Sequence, residues 1–387
     1  MSQVFLARVL YSPLQKVERP LVFVEDGVVT EVTSSHAREL PRGAQAIELG
    51  DAILAPGFID MHIHGGAGRD VMDPAEDALA AVERLLCSHG VTKYFPTTVT
   101  APLDQTLKAL HRLADAIETP SAANNGTRAK PVGIHLEGPF ISHRRPGVHP
   151  PENLLPPTLE MFERFWQAAR GYIKVLTIAP ELEGSRQVIT EAARRGVCVS
   201  MGHSDADVFA ARAGFAAGVR HATHMFNAMR PLGHRDPGIL GEALTNDELS
   251  AEIIADGIHV DPLIVRLFLR LKPAEKAVLV TDATSATGMP DGHYRLGSLE
   301  VDVKDGKCTV GTQLAGSVLT MDKAVQNVMK FAGWDLQQAV RLATANPARA
   351  SRLPTTAGTL VPGAAADMVA LSSSGEVLKT IVGGRIS

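Results

Sequence analysis

Asp60-Met61-His62-Ile63-His64-Gly65, at the end of the apolar run Ile53-Leu54-Ala55-Pro56-Gly57-Phe58-Ile59, carries two imidazoles one residue apart. In an extended segment residues i and i+2 project from the same face, so His62 and His64 can address one ion while Ile63 packs away from it. A helix would splay them. Imidazole nitrogen is a common ligand for zinc and its neighbours, but a site needs three or four ligands, and the others have to come from other strands. Alone the pair is weak evidence, because His-x-His in a strand is more often incidental.

Working outward, apolar β-rich runs after Pro56-Gly57 alternate with longer amphipathic stretches, the pattern of repeated βα units around a parallel sheet. Candidate strands fall at residues 53–61, 91–99, 132–136, 173–178, 197–201, 219–223, 251–255 and 277–281, with helical patterns at 75–88, 103–117, 157–169, 185–195 and 206–217. Eight such strands predict an α/β fold, a (β/α)8 TIM-like barrel over residues 56–358. Residues 288–312 read as a β-hairpin insertion over the barrel mouth, and helices resume at 317–331 and 336–345, the second closed by Asn346-Pro347. Short alternating segments at both ends predict a small β-sandwich domain built from the two chain termini, residues 1–55 and 359–387. Residues 121–130, with Asn124-Asn125-Gly126, read as a polar, mobile loop.

Composition narrows the function classes. The 387 residues are 45% hydrophobic and 21% charged, enough apolar content for a large core with an appendage. The formal net charge is −4, and no basic run exceeds Arg144-Arg145 or Arg194-Arg195, so nothing marks a nucleic-acid or anionic-membrane partner. Any anionic ligand has to be caught locally. Cys87, Cys198 and Cys308 are odd in number and widely spaced, which argues against a disulfide framework and fits a reducing compartment. The start, Met1-Ser2-Gln3-Val4, lacks a charged n-region before a long apolar core, and no apolar run of about 18 residues occurs. A soluble cytoplasmic protein is expected.

In a barrel the active site lies at the C-terminal strand ends. The first strand ends in His62 and His64, the third in His135-Leu136-Glu137-Gly138-Pro139, and the fifth in Gly202-His203-Ser204. The sixth ends in Thr223-His224, the seventh in Asp256-Gly257-Ile258-His259, and the eighth in Asp282. One histidine at a strand end is usually a satisfied core or rim residue, but six strands supplying ligand-type side chains to one rim by accident is improbable. A His/carboxylate set without thiolates suits zinc, iron, manganese or cobalt. Asp282 is the expected proton acceptor beside the metal, while His135 and His221 are expected to pack, the latter against a helix.

These stretches, with Thr223-His224-Met225-Phe226-Asn227-Ala228-Met229 and Thr281-Asp282-Ala283, resemble the amidohydrolase superfamily and, within it, the N-acetylglucosamine-6-phosphate deacetylase family. The resemblance runs over essentially the whole chain, and Leu136-Glu137-Gly138-Pro139 and His224-Met225-Phe226-Asn227-Ala228-Met229 are its most specific parts. It implies a metal-dependent hydrolase of a small phosphorylated amino sugar, with Glu137, His203 and His224 as ligands of the main metal and Asp282 as general base and then acid. His149 would polarise the acetamide carbonyl, and Val148, Asn227, Ala228, His259, Leu314, Ala315 and Gly316 would contact substrate. Arg235 would reach the phosphate of a neighbouring subunit in a homodimer.

The strand-one pair His62 and His64 is retained, whereas the strand-four stretch Leu176-Thr177-Ile178-Ala179-Pro180-Glu181 lacks the bridging lysine of many binuclear relatives, with Lys174 too early. One or two divalent ions, zinc first, are both compatible with this pattern, with Glu137 as the bridge. The substrate epimer, gluco or galacto, is not fixed by any motif. A cyclic-amide hydrolase or nucleobase deaminase is the rival on the same scaffold, and a non-enzymatic barrel would have lost Glu137, His203, His224 or Asp282.

Overall fold

The apolar run at residues 53–63 does not form one strand. In the computed structural model, which describes residues 3–119 and 127–387, it breaks at Gly57. Ile53–Pro56 pairs with Val9–Tyr11 and Met368–Leu371, whereas Phe58–Ile63 is the first barrel strand. At the break, Gly57 N–H donates to Asp367 O (2.9 Å) and Phe58 N–H to Gly90 O (2.9 Å). A Cβ at Gly57 would stand 2.3 Å from Thr92 Cγ2, so glycine is what lets the backbone pass.

The remaining barrel strands are Val91–Thr98, Ile134–Glu137, Ile173–Ile178, Cys198–Met201, His221–Ala222, Ser250–Ile253 and Ala277–Leu279, each parallel to the one before. A bridge between Ile63 and Ala283 joins the last strand's extension to the first. The short strand Lys130–Pro131 flanks the second. The α/β barrel expected from the alternation is therefore present. Its strands are covered on both faces, as a parallel sheet requires: Ile173, Val175, Leu176 and Ile178 are all fully buried. The outer layer is amphipathic helices such as Leu103–Glu118 and Ser185–Arg194. Among them, Thr158 and Asp207 cap Leu159–Ala168 and Val208–Ala217 by accepting the Met161 and Ala210 amides.

Strands from both chain ends form two sheets, one ordered Val28–Ser34, Pro20–Glu25, Gln3–Leu6, Gln45–Glu48, the other running from Arg385–Ile386 through Met368–Leu371 and Ile53–Pro56 to Lys16–Glu18. Phe5, Leu10, Val22, Leu54, Met368 and Ile381 make their shared core.

Two local expectations are corrected. The insertion is not a single hairpin but a four-stranded antiparallel meander, Gly292–Leu296, Leu299–Lys304, Lys307–Val310 and Gln313–Leu314, so Leu314 belongs to its last strand. Asn346-Pro347 does not close a helix. The first helix is Leu336–Leu342, and a second, Ala345–Ala350, begins just ahead of the proline. Proline is tolerated in a first turn because that N–H has no intrahelical partner, and the buried Asn346 Nδ2 donates instead to Ala274 O and Ala277 O. Asn124-Asn125-Gly126, in the loop expected to be mobile, lies outside the described residues.

Candidate metal centre and substrate cavity

At the C-terminal rim the backbone leaves the sheet through strained turns. His203, His224, Ala228 and Asp282 have φ of 46°, 22°, 48° and 50°, a conformation costing a residue with a side chain of order 1–3 kcal/mol. Neighbouring backbone holds them: Asp282 N–H donates to His62 O (2.9 Å), Ser317 N–H to Asp282 O (2.7 Å) and Ser204 N–H to Ala228 O (3.1 Å). Strain of this kind gathers where side chains are held for a task.

Glu137, ending the third strand, is the focus. His203 Nε2 and His224 Nε2 each lie 3.1 Å from its Oε1 and 3.0 Å from each other. His62 Nε2 is 3.4 Å from the same oxygen, and His64 Nε2 is 3.2 Å from Oε2. Asp282 Oδ1 stands 3.1 Å from His64 Nε2 and 3.6 Å from His62 Nε2. All six side chains are buried. Donors about 2.1 Å from a tetrahedral ion are roughly 3.4 Å apart, so these separations suit atoms sharing a cation.

The far ring nitrogens decide which imidazoles can be ligands. His64 Nδ1 lies 3.0 Å from Thr97 O and His203 Nδ1 lies 3.2 Å from Arg145 O. A carbonyl only accepts, so Nδ1 carries a proton on both rings and Nε2 is the nitrogen left to ligate a cation beside Glu137. His62 Nδ1 faces Glu252 Oε2 at 3.0 Å, and its buried Nε2 has no hydrogen-bond partner. An orphaned lone pair aimed at a carboxylate is what a cation would satisfy. His149 is the opposite case. Thr100 N–H donates to its Nδ1 (3.2 Å), with the Thr100 hydroxyl 2.8 Å from the same nitrogen. Nδ1 is thus the acceptor, and Nε2 carries the proton 3.5 Å from Glu137 Oε2. His149 is built as a hydrogen-bond donor into the cavity rather than as a ligand.

Electrostatics follow the same division. Burial opposes ionisation of Glu137, but His62 together with the neighbouring imidazoles of His149, His203 and His224 holds its pKa well below the usual range. Burial likewise opposes Asp282, yet His62 and His64 bring it down to about 2. Burial would lower His64, but Asp282 and Glu137 raise it to about 9, while burial takes His203 down to about 4.

Above these groups opens a cavity of about 450 Å³, lined also by Val148, His149, Asn227, Ala228, His259, Leu314 and Gly316. His259 Nδ1 is 2.7 Å from Asp256 Oδ2. Two expected contacts are not brought there. Ala315 is buried under the meander with Leu296 and Val301, its N–H donating to Cys308 O (3.0 Å), because its side chain fills that small core. Arg235 is exposed on its loop and does not line the cavity of its own chain.

His135 is enclosed between Met61 O (3.1 Å) and Thr177 Oγ1 (2.8 Å), a packed residue. His221 does not face a helix; it lies inside the barrel, Nδ1 2.7 Å from Ser250 Oγ and Nε2 3.1 Å from Glu252 Oε1.

Sequence reasoning passed over several residues. Glu252, fully buried, contacts His62 and His221 and accepts the His224 N–H (3.1 Å). Asp60, also fully buried, accepts the Thr281 hydroxyl and the His62 N–H. The available signal was an acid inside an apolar strand, Ala251-Glu252-Ile253 and Ile59-Asp60-Met61. Thr100 left no signal, and neither Arg144 nor Arg145, which line the cavity, stood out from surface charge.

Residues 53–387 match the amidohydrolase family. The chain belongs to the amidohydrolase family. Within it, this amidohydrolase is 36% identical over 369 residues to an N-acetylglucosamine-6-phosphate deacetylase of Bacillus subtilis (strain 168), covering 95% of this chain and 92% of the relative. It is 35% identical over 388 residues to an N-acetylgalactosamine-6-phosphate deacetylase of Escherichia coli O157:H7, covering 100% of both. Among solved structures it is similar to a mutant N-acetyl-D-glucosamine-6-phosphate deacetylase from Mycobacterium smegmatis in complex with N-acetyl-D-glucosamine-6-phosphate. That likeness has a TM-score of 0.92 at 33% identity and covers 100% of this chain and 99% of the other.

Proposed function

We propose that this amidohydrolase is a metal-dependent deacetylase that hydrolyses the acetamide of N-acetylglucosamine 6-phosphate to glucosamine 6-phosphate and acetate. The observation that carries this reading is the division of the imidazoles: Nε2 lone pairs of His62, His64 and His203 converge on Glu137, while the Nε2–H of His149 stands beside them as a donor. Amide hydrolysis needs both functions at one carbonyl.

Glu137, His203 and His224 are the ligands of the principal cation, and His62 and His64 with Glu137 can hold a second; zinc is favoured, with iron, manganese or cobalt as alternatives. Such a cation supplies Lewis acidity toward the carbonyl and makes a water acidic enough to react near neutrality. Asp282, ionised at neutral pH, takes the proton of the attacking water and returns it to the departing amine. His149 Nε2–H donates to the carbonyl oxygen as negative charge grows there. Asn227, the Ala228 amide and His259 hold the sugar phosphate, Val148, Leu314 and Gly316 wall the sugar, and Arg235 reaches the phosphate of a neighbouring copy.

No helix among the described residues is long and apolar enough to cross a membrane. Cys87, Cys198 and Cys308, all buried and widely spaced, suit a cytoplasmic enzyme.

The test is release of acetate and free amine from N-acetylglucosamine 6-phosphate by metal-loaded protein, with loss of the release on chelation. No turnover with any of several divalent metals sinks the reading. The likeness to the N-acetylgalactosamine-6-phosphate deacetylase supports a second substrate, the galacto epimer, which differs at one hydroxyl. Comparing kcat/KM for the two epimers ranks them.

A further inference from the structure

Resting on the deacetylase reading, we propose that Arg144 is the phosphate-recognising cation supplied by the subunit's own chain, released from a shared carboxylate to grip the substrate. Arg144 and Arg145 are the two Lys/Arg side chains among the described residues that line the catalytic cavity. They differ in freedom. Arg145 is fixed, its Nε 2.8 Å from Asp205 Oδ1 and its carbonyl accepting from His203 Nδ1 (3.2 Å). Arg144 makes one long contact, Nη1 to Asp205 Oδ2 at 3.3 Å, and its side chain is 80% exposed.

Asp205 is oversubscribed. Arg230 also approaches its Oδ2, at 3.7 Å, so one carboxylate faces three guanidinium groups. Asp236 also pairs with Arg230, and Glu181 Oε1 accepts the Asp205 N–H (2.7 Å), so Asp205 is held from several sides without Arg144. When Arg144 leaves, Asp205 still has Arg145 and Arg230, together with the Arg230 Nη1 bond to its carbonyl (3.2 Å). An ion pair made by a largely exposed arginine contributes little, so the switch costs little, whereas a phosphate offers a guanidinium a charge-assisted, two-pronged partner.

The cluster adjoins the loop assigned to the phosphate. Ser204, next to Asp205, donates its N–H to Ala228 O (3.1 Å), and Arg230 N–H donates to Ser204 O (3.0 Å). Gly147, in the same loop as Arg144, stands where a Cβ would contact the Ala228 side chain at 3.7 Å. The segment carrying Arg144 therefore lies against the one carrying Asn227 and Ala228, where the phosphate is to bind.

The experiment compares metal-loaded wild type, Arg144→Ala and Arg144→Lys on N-acetylglucosamine 6-phosphate and on unphosphorylated N-acetylglucosamine. Calorimetric titration with glucosamine 6-phosphate and glucosamine runs in parallel. Arg144→Ala is expected to raise KM for the phosphorylated sugar about tenfold with kcat within about twofold, to leave kcat/KM for the unphosphorylated sugar unchanged, and to weaken glucosamine 6-phosphate binding alone. Arg144→Lys should recover part of the loss. Equal effects on both sugars, or none on either, overturn the proposal, because Arg144 would then only support its loop or sit idle. If wild type releases no acetate, the deacetylase reading fails by itself, and the glucosamine 6-phosphate titration still decides whether Arg144 binds a sugar phosphate.

Discussion

Side by side in one cavity, His203 and His149 are chemically opposite because of one backbone atom each: a carbonyl at Nδ1 makes a ligand of the first, and an amide at Nδ1 makes a donor of the second. Neither backbone partner is a motif, so the sequence could say that the histidines gather but not which nitrogen each presents. Asp282 was legible from its place at a strand end. Asp282→Asn is expected to lower kcat at least about a hundredfold, the usual worth of a general acid–base, with KM and bound metal nearly unchanged. Elemental analysis of the variant is the control, and stoichiometric metal loss would make Asp282 a ligand instead of the base. A pH prediction follows from the same side chains in metal-stripped protein. His203, down at about 4, is neutral where the unfolded chain still binds a proton, so stability rises with pH from about 4 to 6.5. His64, up at about 9, binds a proton that the unfolded chain has released, so its contribution is present below about 6.5 and is lost as pH rises toward 9. Thermal melts of the stripped protein should therefore peak near pH 6.5, and metal, which replaces the His64 proton, should flatten the alkaline decline. A stripped protein whose Tm is level from pH 6.5 to 9 would remove His64 from this account.

At the scale of elements, long periodic helices and apolar strands were readable, because burial on one face or two leaves a pattern. Junctions were not. The run at residues 53–63 is continuous in hydropathy, yet Gly57 cuts it between two sheets, since both halves are buried and look alike until Thr92 is seen pressing on the glycine. Asn346-Pro347 is ambiguous for a related reason: proline is compatible with the end of one helix or the first turn of the next, and the second arrangement is the one in which buried Asn346 Nδ2 donates to Ala274 O and Ala277 O. The insertion's extra strands likewise depended on pairings such as Thr309 with Leu314, which no single-strand pattern displays. Gly57→Ala brings a methyl within 2.3 Å of Thr92 Cγ2 and is expected to cost about 1–3 kcal/mol of stability, the usual price of overpacking. Denaturant unfolding measures it, and adding Thr92→Ala should restore part of the loss. If the single variant is as stable as the parent, the close approach is not what fixes this junction.

For the whole molecule, the strand count and the rule that barrel sites lie at C-terminal strand ends are enough to bring Glu137, four ligand-type histidines and Asp282 together from the sequence alone. What one chain cannot display is a residue that works on another chain. Arg235 is exposed, outside its own cavity, and lies in Leu232-Gly233-His234-Arg235-Asp236-Pro237-Gly238, a loop beyond the sixth strand. Within a symmetric dimer such a loop can reach the partner's mouth, and the two copies would then exchange arginines. Arg235→Ala should raise KM for the phosphorylated sugar far more than for its unphosphorylated analogue, as Arg144→Ala should, so kinetics of single variants do not say which subunit each arginine serves. Complementation does. In a hybrid of Arg235→Ala and Asp282→Asn subunits, one site combines an intact Asp282 with the partner's intact Arg235, and the other lacks both. Each parent homodimer is impaired, but the hybrid should regain up to about half of a normal dimer's activity at low substrate, given independent sites. The same mixing with Arg144→Ala in place of Arg235→Ala separates the two roles: an arginine serving its own subunit leaves both hybrid sites damaged, so no activity returns. If subunit exchange is confirmed and the Arg235→Ala hybrid also recovers nothing, Arg235 serves its own chain or binds no phosphate.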